Sequence, residues 1–395
     1  MQLLDRAAAL RIAPIWRLGF RPFFLAGALF AIGAVVLWGA SLAGQLPAWQ
    51  PPGGVLAWHR HEMPFGFGLA IVAGFLLTAV QNWTGRPGLA GRPLAGLFAL
   101  WCLARLAWFL PLPVALLVGL QLSFVVALVG VLGQAIFRAR QKHNYPIPLV
   151  LGLIGLSQAL CLYGLAVQDV ELQRRGVLAA LWLIAALMGI IGGRVIPFFT
   201  QRGLARSEPF PPKPRQLWLG LACSLLIALG MAGGYGLNAH PALAVPFLVV
   251  AGVQLVQLRR WYDHGIWRVP LLWSLHVAFA WLIVAALGMA AWHLGLLAQQ
   301  SLATHALAVG AMGGLILAMV ARVTLGHTGR PLQPPRAMSW AFAALHLGAA
   351  SRVLLAPIGV YGLWLAIACW CLAFALFVWN YAPMLWRARV DGSPG

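Results

Sequence analysis

Windows of about 20 mostly apolar residues follow one another along nearly the whole chain, and no other feature constrains its fold as strongly. Rising 1.5 Å per residue, one such window covers the ~30 Å of a bilayer's hydrocarbon as a helix that bonds its own peptide groups. The windows fall at 22–43, 56–81, 93–110, 113–137, 147–167, 177–199, 216–236, 241–258, 269–293, 301–324, 337–356 and 360–386. They predict an all-α polytopic membrane protein of twelve transmembrane helices, a single integral membrane domain over 1–395 with no soluble domain. Connections are short and carry Pro and Gly, as in Gln50-Pro51-Pro52-Gly53-Gly54 and Pro209-Phe210-Pro211-Pro212.

A net charge of +20 would suit a nucleic-acid binder, but the charged residues make up only 9% of a chain that is 62% hydrophobic. The bases sit in short loops between apolar runs, which is the topogenic signal of membrane proteins, so nucleic acid is excluded as a partner and the lipid bilayer is the partner expected. With a cytoplasmic N-terminus, all of the 27 Lys and Arg fall on the cytoplasmic side except Arg60, Arg105, Arg174, Arg175 and Arg352. An even number of spans returns the C-terminus to the same side. Arg6, Arg11, Arg17 and Arg21 precede the first window with no small-residue cleavage site after it, so no cleavable leader is expected. The 5 cysteines lie in apolar segments and form no C-x-x-C, which favours small buried side chains over disulfides. Cys369 and Cys371, two apart on a helix, point to different sides.

A faint repeat runs through the chain. The second helix ends Thr84-Gly85-Arg86-Pro87, the sixth Thr200-Gln201-Arg202-Gly203 and the tenth Thr328-Gly329-Arg330-Pro331, at spacings of 116 and 128 residues. His61 precedes Thr84, and His305 precedes Thr328, by 23 residues; Arg194-Val195 and Arg322-Val323 each sit six before their threonine. One reading is a four-helix unit used three times in a pseudo-threefold arrangement. The other is chance reuse of Thr-x-Arg at basic helix ends. The match of helices two and ten at both ends favours the repeat.

The stretch Val55–Arg86 holds the chain's most expensive residues. His59, Arg60, His61 and Glu62 open an apolar helix, and Glu62 is the sequence's one acid within an apolar segment. Each such group costs roughly 2–4 kcal/mol in hydrocarbon unless it is paired, so the cluster marks a candidate site. The topology puts His305, Arg105 near Pro111 and Arg352 near Pro357 at a similar depth, on the order of 6–14 Å below the outer boundary. Glu62 can neutralise Arg105 or Arg352, which leaves one cation without a protein anion. That surplus implies an anionic guest, such as the propionates of a haem.

Neutral imidazoles are the usual axial ligands of haem iron, and one from each of two helices makes a bis-histidine site. His61 and His305 are the pair the repeat selects, with His59 as the alternative. Any one histidine taken singly is as readily explained by a bond to a neighbouring backbone group. Pro64 either kinks the helix or starts it; in a helix His59 and His61 diverge, in an extended entry they share a side. His276 and His346, with Met63, Met312 or Met319 as soft partners, are weaker candidates for a copper site. His293 lies at an outer helix end and His327 on the cytoplasmic side, while His143, His240 and His264 read as loop residues.

Five blocks in order carry a family resemblance: Trp16-Arg17-Leu18-Gly19-Phe20-Arg21-Pro22-Phe23-Phe24, Trp58-His59-Arg60-His61-Glu62-Met63-Pro64-Phe65-Gly66-Phe67, Asn82-Trp83-Thr84-Gly85-Arg86-Pro87, Gly192-Gly193-Arg194-Val195-Ile196-Pro197-Phe198-Phe199-Thr200 and Arg322-Val323-Thr324-Leu325-Gly326-His327-Thr328-Gly329-Arg330-Pro331. Together they resemble the NnrS family. The resemblance implies a bacterial inner-membrane protein containing haem, expected to be b-type, and copper, made in response to nitric oxide and protective against nitrosative stress. A more distant similarity is to the catalytic subunit of haem–copper oxidases and nitric-oxide reductases, which also has twelve helices in three arcs. There an outer-side histidine on helix two precedes a run ending in Asn-Trp, as His61 precedes Asn82-Trp83 here. The partner on helix ten precedes a run like Gly310-Ala311-Met312-Gly313, and arginines at the end of helix eleven, where Arg352 lies, hold propionates. That superfamily's second metal needs histidines on helices six and seven, and here 177–199 and 216–236 have none.

Three functions fit these observations. The first is a haem protein that binds nitric oxide or handles it by redox chemistry, with Arg105 and Arg352 on the propionates and Glu62 tuning a histidine or relaying a proton. The second is a quinol-linked reductase, an oxidoreductase acting on nitric oxide with a quinol or other membrane electron donor. The third is a transporter whose buried ionisable layer is a substrate site, which the repeat favours and the lack of a clear pair of broken midplane segments opposes.

Overall fold

The fold was taken from a computed structural model, which describes residues 6–211 and 213–394. Pro212 of the predicted linker lies outside them, as do the side chains of residues 6–8. The described residues form helices and turns and no strand. In chain order the long helices are α1 Phe20–Leu42, α2 Gly54–Thr84, α3 Gly91–Leu106, α4 Val114–Arg138, α5 Pro146–Ala166 and α6 Val170–Gly203. There follow α7 Pro214–Ala232, α8 Ala244–Trp261, α9 Pro270–His293, α10 Gln300–His327, α11 Arg336–Leu355 and α12 Val360–Trp386. Every predicted window lands on one of them.

Among the described residues, 11 helices are long and apolar enough to cross a membrane, and the exception is α3. The window at 93–110 predicts a full span, whereas the regular helix has 16 residues and continues only as a 3-10 turn, Ala107–Phe109. Its α-helical part rises only about 24 Å, because Pro111 and Pro113 cannot extend the hydrogen-bond ladder.

The chain divides into two compact units. One comprises residues up to Gln173, Val320–Gln333 and the chain from Phe374 on; the other comprises Arg174–Met319 and Pro334–Ala373. In the first unit α2 packs between α1 and α4, while α3 and α5 flank α4. Small residues set the α1–α2 approach. A Cβ on Gly27 would meet Ile71 at 2.7 Å, and one on Gly74 would meet the Phe24 ring at 2.9 Å. In the second unit α9 is central, against α8, α10 and α11, with α7 on α8. Trp182 on α6 meets Phe247 on α8 edge-on at 4.9 Å.

Among the described residues three helices widen locally into π turns, at Glu62–Gly68, Ala306–Gly313 and Ser351–Leu355. In α2 the cause is visible: Pro64 has no N–H for the Arg60 carbonyl, so the backbone continues through a wider ring. His61 stands immediately before the first π turn and His305 immediately before the second. The three repeat threonines also behave alike. Thr84 donates to the Val80 carbonyl at 2.8 Å, Thr200 to Ile196 at 2.8 Å and Thr328 to Thr324 at 2.6 Å. Gly85 and Gly329, after the first and last of these, take positive φ of 67° and 74°. Outside the spans, the Gly265 N–H and the Arg206 guanidinium hold the Asp263 carboxyl below the usual carboxylate range.

Candidate functional site

The acid that the sequence singles out lies at the centre of a closed network in the first unit. Glu62 is wholly buried. Its Oε1 accepts from His61 Nδ1 at 2.8 Å and from Trp108 Nε1 at 2.7 Å, and its Oε2 pairs with Arg105 Nε at 2.6 Å. Arg105 reaches α3's neighbours as well: Nη2 donates to Gln121 Oε1 on α4, whose own Nε2 returns to the Ala104 carbonyl at 2.5 Å. The rings of Phe30 and Trp101 lie 6.0 and 5.9 Å from the guanidinium carbon. One carboxylate and one guanidinium thus balance within the network. Pairing of this kind is what makes two buried ions tolerable; deleting one partner typically costs about 3–5 kcal/mol.

The π turn makes the network possible. A Cβ on Gly66 would sit 2.6 Å from Glu62 Oε2 and 2.9 Å from Phe30, so the carboxylate occupies space only glycine leaves. The Gly66 carbonyl accepts from Trp101 Nε1 at 2.9 Å.

The histidine tautomer follows from its partners. A carboxylate only accepts, so Nδ1 of His61 carries the proton and Nε2 presents the lone pair. Gln158 on α5 offers its Nε2 to that atom at 3.2 Å. A neutral imidazole with its Nδ1–H tied to a carboxylate is the arrangement that orients metal-binding histidines. His59 diverges, because α2 is helical here rather than extended: its ring stacks on Trp38 with centroids 4.5 Å apart.

In the second unit His305 Nδ1 lies 2.7 Å from the Ser301 carbonyl and 3.2 Å from the Ser301 hydroxyl. Arg352 Nη2 donates to the same hydroxyl at 3.2 Å. Among the described residues no carboxylate pairs with Arg352. The predicted site residues therefore form two groups: His61, Glu62 and Arg105 with His59 nearby on the same helix, and His305 with Arg352.

Taken singly, each imidazole has its Nδ1 bonded back to the protein and its Nε2 as the remaining donor atom, which is the donor chemistry an axial haem ligand needs. The copper candidates do not form a fitting donor set. Among the described residues no three His, Cys, Asp or Glu side chains are grouped to hold an ion. The ring nitrogens of His276 lie 2.9 and 3.4 Å from the Leu272 and Trp261 carbonyls. Met63 packs with the Trp58–Trp108 cluster, and His346 abuts Gly314 and the Trp273 ring.

Sequence reasoning misses Gln121, Gln158 and Arg21. The two amides carry a usable signal, since each is a buried polar group in a mostly apolar helix and incurs the same kind of cost as Glu62. Arg21 reads in the sequence as a topogenic loop charge. It is instead fully buried, and its Nη1 donates to the Leu385 and Arg387 carbonyls at 2.9 and 2.7 Å, capping the C-terminal end of α12. Its flanking Phe20, Pro22, Phe23 and Phe24 are the clue.

Fold and site together define a polytopic helical membrane protein whose second helix buries a carboxylate-tethered imidazole. The chain belongs to the NnrS family: the family profile described as NnrS protein matches residues 14–389, which include all five motif blocks. Comparison with curated protein sequences returns no match.

Proposed function

We propose that this chain is a haem-binding membrane protein of the nitric-oxide response, with His61 and His305 as candidate iron ligands. Membership of the NnrS family supports the physiological half of this reading. The single observation that carries the chemical half is the bond from His61 Nδ1 to Glu62, which leaves Nε2 as a ligand atom in a buried site. A bound haem would supply a one-electron couple. Glu62 holds the His61 ring in one orientation and strengthens Nε2 as a donor. Arg105 supplies the counter-charge for Glu62, and Gln158 solvates Nε2 with an amide that can move aside. Arg352, whose charge no acid among the described residues matches, is the candidate for a propionate. His59, stacked on Trp38, is the weaker alternative ligand.

In this reading α3 crosses the bilayer together with its 3-10 turn, which brings the count to twelve spans, and the Lys/Arg asymmetry supports a cytoplasmic position for both termini. The threonine bonds common to α2, α6 and α10 support the pseudo-threefold repeat, and the π turns support the match of α2 with α10. A quinol-linked nitric-oxide reductase would have to place its second metal away from α6 and α7, which hold no histidine.

Protein purified in detergent should carry a Soret band and iron by metal analysis. Separate His61→Ala and His305→Ala variants should lose or shift that band. A spectrum unchanged in both would overturn the assignment.

A further inference from the structure

One of the five sequence blocks, Gly192–Thr200, has no part in the haem reading. In the second unit it forms one wall of a half-open cavity of about 530 Å³ where the ends of α6, α7 and α8 meet. Part of the wall is apolar, from Pro197, Phe198, Leu217 and Trp261. The remaining groups are polar in an uneven way. Arg194, Lys213 and Arg260 line the cavity, and no acid among the described residues does. Arg260 is aimed by Gln216, whose Oε1 accepts from its Nη1 at 3.3 Å.

Gln257 sits three residues before Arg260 on α8, lines the same cavity and is 6% exposed; its Oε1 has no hydrogen-bond partner. Gln254, one further turn in and 3% exposed, also has an unpartnered Oε1 and lines a narrow void beneath. Glycines make room for that amide: a Cβ on Gly189 would lie 3.2 Å from Gln254 Nε2. A buried acceptor without a donor costs about 1–3 kcal/mol. A wall that holds bases and no acid calls for an anion, and unsatisfied amide oxygens call for O–H donors. Inorganic phosphate answers the first need better than the second. An ester that carries both a phosphate and hydroxyls answers both.

We propose that this cavity binds a hydroxyl-bearing phosphate ester, with Arg194 and Arg260 on the phosphate and Gln257 Oε1 accepting from a hydroxyl. The Lys/Arg count assigns these helix ends to the cytoplasmic side, where two sources share that chemistry: the glycerophosphate headgroup of an anionic lipid and soluble phosphate esters. The apolar wall suits the lipid's chains.

The test uses the full chain in nanodiscs, read by thermal unfolding and by native mass spectrometry of retained lipid. In phosphatidylglycerol discs the protein should keep bound lipid and melt higher than in phosphatidylcholine discs. If instead only glycerol 3-phosphate added to phosphatidylcholine discs raises the melting temperature, the site is supported and its source is soluble. An Arg194→Gln, Arg260→Gln double variant should bind at least tenfold more weakly. A Gln257→Leu variant should lose preference for glycerol 3-phosphate over inorganic phosphate while retaining phosphate binding, which separates lost recognition from lost folding. Equal behaviour of wild-type protein in both lipids with no response to either phosphate would overturn the proposal. So would unchanged binding in the double variant, or no wild-type preference between the two phosphates.

Discussion

The starts of α2 and α10 use the same local device and surround it differently. Each runs as a regular helix to a histidine, widens into a π turn directly after it, and ends in a threonine bonded back one turn and followed by an αL glycine. Around His61 the two charges are matched: a carboxylate, a guanidinium, two amides and an indole converge on one another. Around His305 there is only a serine and an arginine without an acid among the described residues. The helix defect is thus separable from the electrostatics built on it. A π turn positions an imidazole in either setting, and the neighbouring helices decide whether that imidazole sits in a neutral, sealed network or beside a surplus charge.

The contrast is open to direct attack. Glu62→Gln should have the largest effect, about 3–5 kcal/mol of lost stability in denaturant unfolding followed by tryptophan fluorescence, because Arg105 is left buried without its counter-ion. Arg352→Gln, at the half-exposed site, should cost no more than about 1 kcal/mol. Equal losses would erase the distinction between the two regions. The next effect down is steric. Gly66→Ala drives a methyl against Glu62 and Phe30, and Gly310→Ala drives one against Trp281 at 2.5 Å, so each should cost about 1–3 kcal/mol of overpacking. Gly66→Ala should also disturb the His61 network, seen as a changed Soret band. The smallest effect checks the shared part. Thr84→Val and Thr328→Val should each lose about 0.5–1.5 kcal/mol, by similar amounts, since the same hydroxyl bond is removed from both helix ends. A large difference between the two would mean that the repeat is one of sequence alone.

Much of this is legible in the order of amino acids. The apolar windows locate every long helix, since length and hydropathy act locally and bilayer thickness sets the scale. The cost of burying charge points to Glu62 and to His61 beside it. The pairing of Glu62 specifically with Arg105 is one of two options that composition leaves open, and Arg105 wins because α3 packs beside the π turn that frees space at Gly66. The roles of Gln121 and Gln158 are not legible, because an amide in an apolar helix gives no indication of which helix it will face. Arg21 misleads for a related reason: a basic residue before a span looks like a topogenic charge until the end of α12, more than 360 residues later, supplies carbonyls to it.

The chain's own order of residues therefore determined that it crosses a membrane many times, which helices carry ionisable groups, and that one acid would need a partner. Periodicity and transfer cost are properties of a segment and its solvent, and need no knowledge of neighbours. Tertiary structure alone decided which nitrogen of His61 bears the proton, which cation is matched and which is left over. It also brought three helix ends around a basic cavity. These depend on packing between segments distant in sequence, where a separation of a few ångströms determines whether two groups pair.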